Sequence, residues 1–175
     1  FSLLFRELFD FKLVQTDPNF ANYLYNRDSG QLVLLDFGAC RDYPAKISDA
    51  YRALFAAALA QDTAAMAHAL TEIGFFSQQI LPAQKQAVLS LVQLACEPLQ
   101  HDADFDFGQT DLASRLRDAG TALSMQQNYW HTPPADALFL HRKIAGLYLL
   151  AARLKARVNV RALLKPYLAV AAVNT

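Results

Sequence analysis

Over residues 2–14, SLLFRELFDFKLV, apolar positions cover most of a helix circumference, which predicts a buried helix. The pattern breaks at QTDPNFAN, where Asp17-Pro18-Asn19 is turn chemistry. Two short runs follow, Asn22–Tyr25 and Gln31–Leu35, rich in β-favouring Tyr, Val and Leu and separated by NRDSG. They predict a hairpin. After Pro44 the spacing becomes helical: Ile47, Tyr51, Leu54, Phe55, Ala58 and Leu59 share a stripe. Asp62 is placed to cap a helix whose apolar face is Met66, Leu70 and Ile73, and Gly74 to end it. Pro82 opens the next, with Val88, Leu91, Val92, Ala95 and Leu99 inside. The acidic stretch His101–Gln109 reads as a solvated loop. Leu112, Leu116, Ala119 and Leu123 mark a further helix. Thr132-Pro133-Pro134 then starts a long one, from Ala135 to Arg157. Asn159 caps the last segment, which Pro166 is expected to kink or divide. The fold class is therefore mainly α (α+β), with one small β-hairpin near the start.

Composition supports a packed chain. Of 175 residues, 54% are hydrophobic and 18% charged, so a real core is within reach and disorder is excluded. The sequence opens on Phe1, inside a predicted helix, and reads as a fragment or a processed chain. No cleavable signal pattern is visible. The strongly apolar stretch Ile144–Ala152 is too short to span a bilayer, which needs about 20 residues. Cys40 and Cys96 stand apart, which excludes a disulfide framework or a cysteine zinc site. The net charge of zero hides an asymmetry. All 16 acidic residues lie at or before Asp136, and seven basic ones follow it: Arg142, Lys143, Arg153, Lys155, Arg157, Arg161 and Lys165. Such a tail suits anionic lipid, nucleic acid or an acidic partner, or else a solvated face packed near the acidic body.

Asp-Phe-Gly occurs twice, at Asp36–Gly38 and Asp106–Gly108. A phosphoryl-transfer site of the kinase type needs a loop carboxylate to orient or deprotonate the attacking group. It also needs a second carboxylate and an amide oxygen to hold Mg²⁺ on the phosphates. Its signature is D-x-x-x-x-N, a β-hairpin, then D-F-G, so that the hairpin sets the two loops side by side. The first copy has all of it: Asp17 and Asn22 at the right spacing, the hairpin between, and Asp36 after its second strand. Gly38 would give the turn its backbone freedom. The second copy has no such lead-in. Its alternating Asp102, Asp104 and Asp106 suggest a calcium loop, but the positions needing Gly and Glu hold Phe107 and Ala113.

With these residues in place, FDFKLVQTDPNFANYLY and LVLLDFGACRDYP resemble the UbiB/ADCK (aarF-domain) atypical kinases, specifically the coenzyme Q biosynthesis branch with its Q-T-D-P-N and D-F-G-A-x-R signatures. LHRKIAGLYLLAARLKARV, from Leu140, is similar to the C-terminal helix of that branch. The resemblance implies a protein-kinase-like C-terminal lobe, with residues 1–45 carrying the catalytic loop, hairpin and D-F-G, and 46–175 a helical subdomain. It implies Asp17 as the catalytic residue, and Asn22 and Asp36 as Mg²⁺ ligands. With Gly38, those two would also bind the ATP cofactor. Gln15 and Asn19 stand where ordinary protein kinases have His and a phosphate-contacting Lys. Phe20 and Cys40 replace a common Trp and Thr, changes expected to alter packing more than chemistry.

The segment after Gly38 is short and no A-P-E follows, which favours a small-molecule or lipid acceptor, or plain ATP hydrolysis, over a peptide. No glycine-rich loop, K-x-G-Q motif or β3-type Lys is present, so the N-lobe is expected outside this chain, and the chain alone is expected to be inactive. The implied function is that of an atypical kinase or ATPase supporting ubiquinone biosynthesis. Implied partners are ATP, quinone-biosynthesis enzymes or an isoprenoid lipid, and an anionic membrane surface met by the basic tail. Nucleic acid is not expected. The implied location is cytoplasmic in a bacterium or the matrix side of a mitochondrion, peripheral to the inner membrane. Two rivals share the motifs: a small-molecule phosphotransferase of the aminoglycoside or choline kinase type, and a non-catalytic kinase-like scaffold.

Overall fold

A computed structural model describes residues 1–17, 19–76, 80–126 and 133–169, without the side chains of Phe20 and Ser124. The turn proline Pro18, the Phe20 side chain and Thr132 lie outside the described residues.

The chain opens with α1 (Ser2–Phe5), which widens into a π-helical stretch over Arg6–Phe11. Leu4, Phe5, Leu8 and Phe9 are buried, whereas Phe11 and Leu13 are exposed. The predicted helix therefore ends early. Lys12 turns left-handed at φ 55°, and β1 (Leu13–Gln15) follows. The carbonyl of Leu8, inside the π stretch, accepts from the Ser48 hydroxyl at 2.7 Å, which ties the widened turn to the start of the helix Ala45–Leu59.

The hairpin forms as expected from β2 (Tyr23–Asn26) and β3 (Gln31–Leu34), in register Tyr23 to Leu34. The Asn26 side chain accepts from the amides of Asp28 and Ser29, and Gly30 sits at φ 68°, which fixes the turn. It is not the sole pairing. β4 (Cys40–Asp42) pairs antiparallel with β1, and β5 (Phe105–Asp106) with β6 (Arg157–Val158). These strands are two or three residues long and pair across long separations, so periodicity does not reveal them.

The helical body is α2 (Ala45–Leu59), α3 (Thr63–Ile73), α4 (Pro82–Ala95), α5 (Leu112–Gln126), α6 (Ala135–Arg153) and α7 (Val160–Leu168). Their caps match the sequence reading. Asp62 accepts from Ala65 N at 2.9 Å, Asn159 from Ala162 N at 2.8 Å, and Gly74 ends α3 at φ 92°. Two details differ. α6 stops at Arg153, because Lys155 turns left-handed at φ 48° and the chain must reach β6. α7 runs through Pro166 undivided; seven residues into a nine-residue helix, the lost bond falls in the last turn.

The second Asp-Phe-Gly is not a solvated loop. β5 is tied to β6, Phe107 is buried, and Phe107 stacks with Phe1 at 5.3 Å. Asp102 accepts from Asn159 at 2.9 Å, and Asp106 pairs with Arg157 at 3.8 Å. The basic tail is likewise engaged with the acidic body. Arg142, Lys143 and Arg157 meet Asp17, Glu7 and Asp106, and Arg161 donates to the Gln100 carbonyl at 3.0 Å. Among the described residues no helix is long and apolar enough to cross a membrane.

Candidate functional site

Two strand pairings gather the site. β1 and β4 place Gln15 opposite Cys40, two residues before Asp17 and two residues after the first Asp-Phe-Gly. Thr16 locks the junction, since both its amide (3.1 Å) and its hydroxyl (2.7 Å) donate to the Ala39 carbonyl. The hairpin supplies the second constraint. It leaves from Asn22 and returns at Leu35, whose amide donates to the Asn22 carbonyl at 3.0 Å. Asp36 is the next residue. The loops carrying Asp17, Asn22 and Asp36 are therefore held together by backbone hydrogen bonds at both ends.

Within this frame the side chains are oriented. Asn22 Nδ2 donates to Asp17 Oδ2 at 2.9 Å. That bond fixes the amide so that its oxygen Oδ1 is left to accept a cation. Asp36 Oδ1 accepts from Gly38 N at 2.8 Å, and the residue is otherwise exposed. Gln15, 5% exposed, reaches across with Nε2 to the Asp36 carbonyl at 3.4 Å, and its Oε1 is buried without a partner. Arg142 of α6 brings Nη2 to 3.9 Å from Asp17 Oδ1. Sequence reasoning did not select Arg142; it entered there only as one charge of the basic tail and as part of the family-like stretch from Leu140.

Gly38 plays a different part from the one expected. Its φ is not positive, so the turn does not use left-handed freedom. A Cβ there would stand 3.2 Å from Asp36 Oδ1, so glycine keeps the space beside that carboxylate clear. Cys40 is partly buried, and burial raises its thiol pKa, so it stays protonated at neutral pH and is a poor nucleophile.

Two carboxylates and one amide oxygen are hard ligands, the set that suits Mg²⁺ held jointly by protein and phosphates. Asp36 and Asn22 fit that role, since each keeps an oxygen not used within the loops. Among the described residues no cluster of three or more His, Cys, Asp or Glu could hold a metal by itself.

A cavity of about 530 Å³ lies elsewhere, inside the helical body, with Tyr51, Phe75, Val92, Leu123, His141 and Tyr148 in its wall. None of the three site residues lines it. Its polar features are few: the Tyr51 hydroxyl and His141 Nε2 meet at 3.3 Å, and burial lowers the His141 pKa to about 4, leaving the ring neutral. Its wall is mostly apolar and, among the described residues, carries no Lys or Arg to meet a phosphate.

Residues 1–70, which contain the whole site except Arg142, match the ABC1 atypical kinase-like domain. The mitochondrial atypical kinase COQ8B of Danio rerio is 35% identical over 91% of this chain and 25% of its own length. COQ8B of Rattus norvegicus is 34% identical over 91% of the chain and 30% of its own. The mitochondrial atypical kinase COQ8 of Saccharomyces cerevisiae is 34% identical over 93% and 32%. The chain thus spans a quarter to a third of the length of these relatives. Matching motifs, mainly helical fold and relatives together assign it: the chain belongs to the UbiB/ADCK family of atypical kinases.

Proposed function

We propose that this chain is the C-terminal lobe of an atypical kinase or ATPase that binds Mg-ATP and supports the biosynthesis of ubiquinone. The observation that carries the reading is the Asp17–Asn22 hydrogen bond, 2.9 Å, in a loop joined by two strand pairings to Asp36. In this reading Asp17 orients the attacking hydroxyl or water and accepts its proton. Asn22 fixes the Asp17 carboxylate and, with Asp36, would hold Mg²⁺. Bound Mg²⁺ would neutralise charge on the phosphates. Gly38 leaves room beside Asp36.

The quinone context comes from the relatives, whose names are those of the mitochondrial COQ8 kinases. A mitochondrial location for this protein is proposed on the same ground. The structure adds support for a non-peptide acceptor. Only six residues separate Gly38 from α2, and β4 takes three of them, so no extended segment is present to dock a peptide. The apolar cavity falls within the volume range of small-molecule sites, and its hydrocarbon wall suits an isoprenoid chain.

A covering lobe is part of the proposal. Both faces of the hairpin carry exposed apolar side chains: Leu24, Tyr25, Leu32 and Val33 are 44–63% exposed, and Leu35 and Phe37 beside them 51% and 59%. A two-stranded hairpin with two wet apolar faces is marginal by itself and marks a contact surface. An N-terminal lobe closing over the nucleotide would cover it.

The test is Asp36→Asn in the full-length protein that carries this lobe. The substitution keeps shape and removes the charge that holds Mg²⁺, so nucleotide hydrolysis should fall by at least ~100-fold with the fold unchanged by circular dichroism. Undiminished turnover would sink the reading.

A further inference from the structure

We propose that Arg142 is a catalytic residue of this site, the cation that contacts the transferred phosphoryl group. The proposal rests on the nucleotide-site reading above. It starts from charge. Asp17 and Asp36 each bring a negative charge to a place that must accept a polyphosphate, and like charges a few ångströms apart repel strongly in a cleft. The loops themselves offer no answer. Between residues 15 and 40 the sole Lys or Arg is Arg27, in the turn at the far end of the hairpin. Four residues of strand separate that turn from Asn22, roughly 13 Å. Asn19, two residues after Asp17, is uncharged, and its side-chain oxygen accepts from Ala21 N.

The compensating charge arrives from α6. Arg142 Nη2 lies 3.9 Å from Asp17 Oδ1, and among the described residues no other Lys or Arg comes within 4.0 Å of either carboxylate. The other nearby cations are committed. Lys143 is buried against Glu7, and Arg41 binds Asp136 at 3.0 Å while lying over the Phe139 ring.

Arg142 also has the mechanics the role requires. Its backbone is fixed on both sides, by His141 against Tyr51 and by Lys143 against Glu7. Its side chain is 64% exposed and its contact with Asp17 is longer than a hydrogen bond. A head so loosely held on so rigid a base is free to turn toward an arriving anion. The guanidinium fork then offers paired donors to phosphate oxygens, while Asp17 remains oriented by Asn22.

Arg142→Ala and Arg142→Lys would be compared with wild type and Asp36→Asn in the full-length protein. For Arg142→Ala, kcat for ATP hydrolysis should drop ~10- to 1,000-fold, the range of a removed phosphate clamp. A second readout is the calorimetric affinity for ATP relative to ADP, which should fall by roughly 10-fold, because the lost contact is to the terminal phosphate. Arg142→Lys should regain part of both. The melting temperature should move by less than about 3 °C, as expected for an exposed pair. Full turnover, or an unchanged ATP-to-ADP preference, with Asp36→Asn inactive would overturn the assignment of Arg142 alone. Full turnover in Asp36→Asn would overturn the nucleotide site and Arg142 with it.

Discussion

The two Asp-Phe-Gly copies share their local chemistry. In each, the aspartate Oδ1 accepts from the amide of the glycine two residues on, at 2.8 Å for Asp36 and 3.0 Å for Asp106. What separates them is the middle residue. Phe37 is 59% exposed and Phe107 2%, so one turn is presented and the other is packed. The glycines differ accordingly. A Cβ on Gly38 would meet a side-chain oxygen, whereas one on Gly108 would stand 2.8 Å from Lys155 Cβ and 2.9 Å from its Cα. Backbone cannot yield as a side chain can. Gly108→Ala should therefore destabilise the fold by about 1–3 kcal/mol, with the β5–β6 pairing lost first. Chemical denaturation checks the magnitude, and amide exchange at Phe107, whose N–H donates to Ala156 O at 2.9 Å, checks the place. An unchanged denaturation midpoint would show that Lys155 moves aside freely.

At the scale of elements, α6 is the one that organises the rest. Three successive residues, His141, Arg142 and Lys143, reach α2, the Asp17 loop and the π-helical stretch. Its first turn holds the strand after Asp-Phe-Gly, through Asp136 to Arg41 at 3.0 Å and to the Tyr43 hydroxyl at 2.6 Å. His141 makes this arrangement sensitive to acid. Burial depresses its pKa to about 4, while the unfolded chain titrates near its ordinary 6.5. Below 6.5 the unfolded state binds a proton that the native state lacks, so stability is complete above that pH and declines toward 4. Between pH 7 and 5 the loss from this group should be about 1–2 kcal/mol, the lower figure if water enters the cavity its ring borders. Urea midpoints of wild type and His141→Gln at both pH values isolate the effect; an equal decline in both would assign it to other groups. Much of this architecture was legible in the sequence. Asp62, Gly74, Pro82 and Asn159 mark helix ends by local bonds, and Asp17, Asn22 and Asp36 sit at a spacing that a hairpin alone can close. What was hidden depends on partners distant in the chain. β4, β5 and β6 are too short for periodicity, and Arg142 looked like one tail charge among seven because nothing local shows what faces it.

For the molecule as a whole, the Glu7–Lys143 pair is a buried side-chain link between distant parts of the chain. It joins the first helical turns to α6 across 136 residues, with side chains 6% and 2% exposed. Two opposing terms decide its worth. Removing both charges from water is costly, and their attraction in the interior roughly repays that cost. The pair as such is then near neutral for stability, but either charge alone is not. Lys143→Met leaves a buried carboxylate without its cation and should cost about 3–5 kcal/mol. Glu7→Leu does the same to the ammonium. The double variant, Glu7→Leu with Lys143→Met, keeps the volume and removes both desolvation costs, so it should recover most of the loss. Its consequence for function is separate. The pair anchors α6 one residue from Arg142 and anchors the helix that leads into β1 and Asp17. A double variant that regains stability but not nucleotide turnover would show that this link also sets the reach of Arg142. Denaturation midpoints of the two single variants and the double close the cycle. Additive losses in the double, instead of recovery, would mean that the two side chains are stabilised by separate partners and that the pair does not act as a unit.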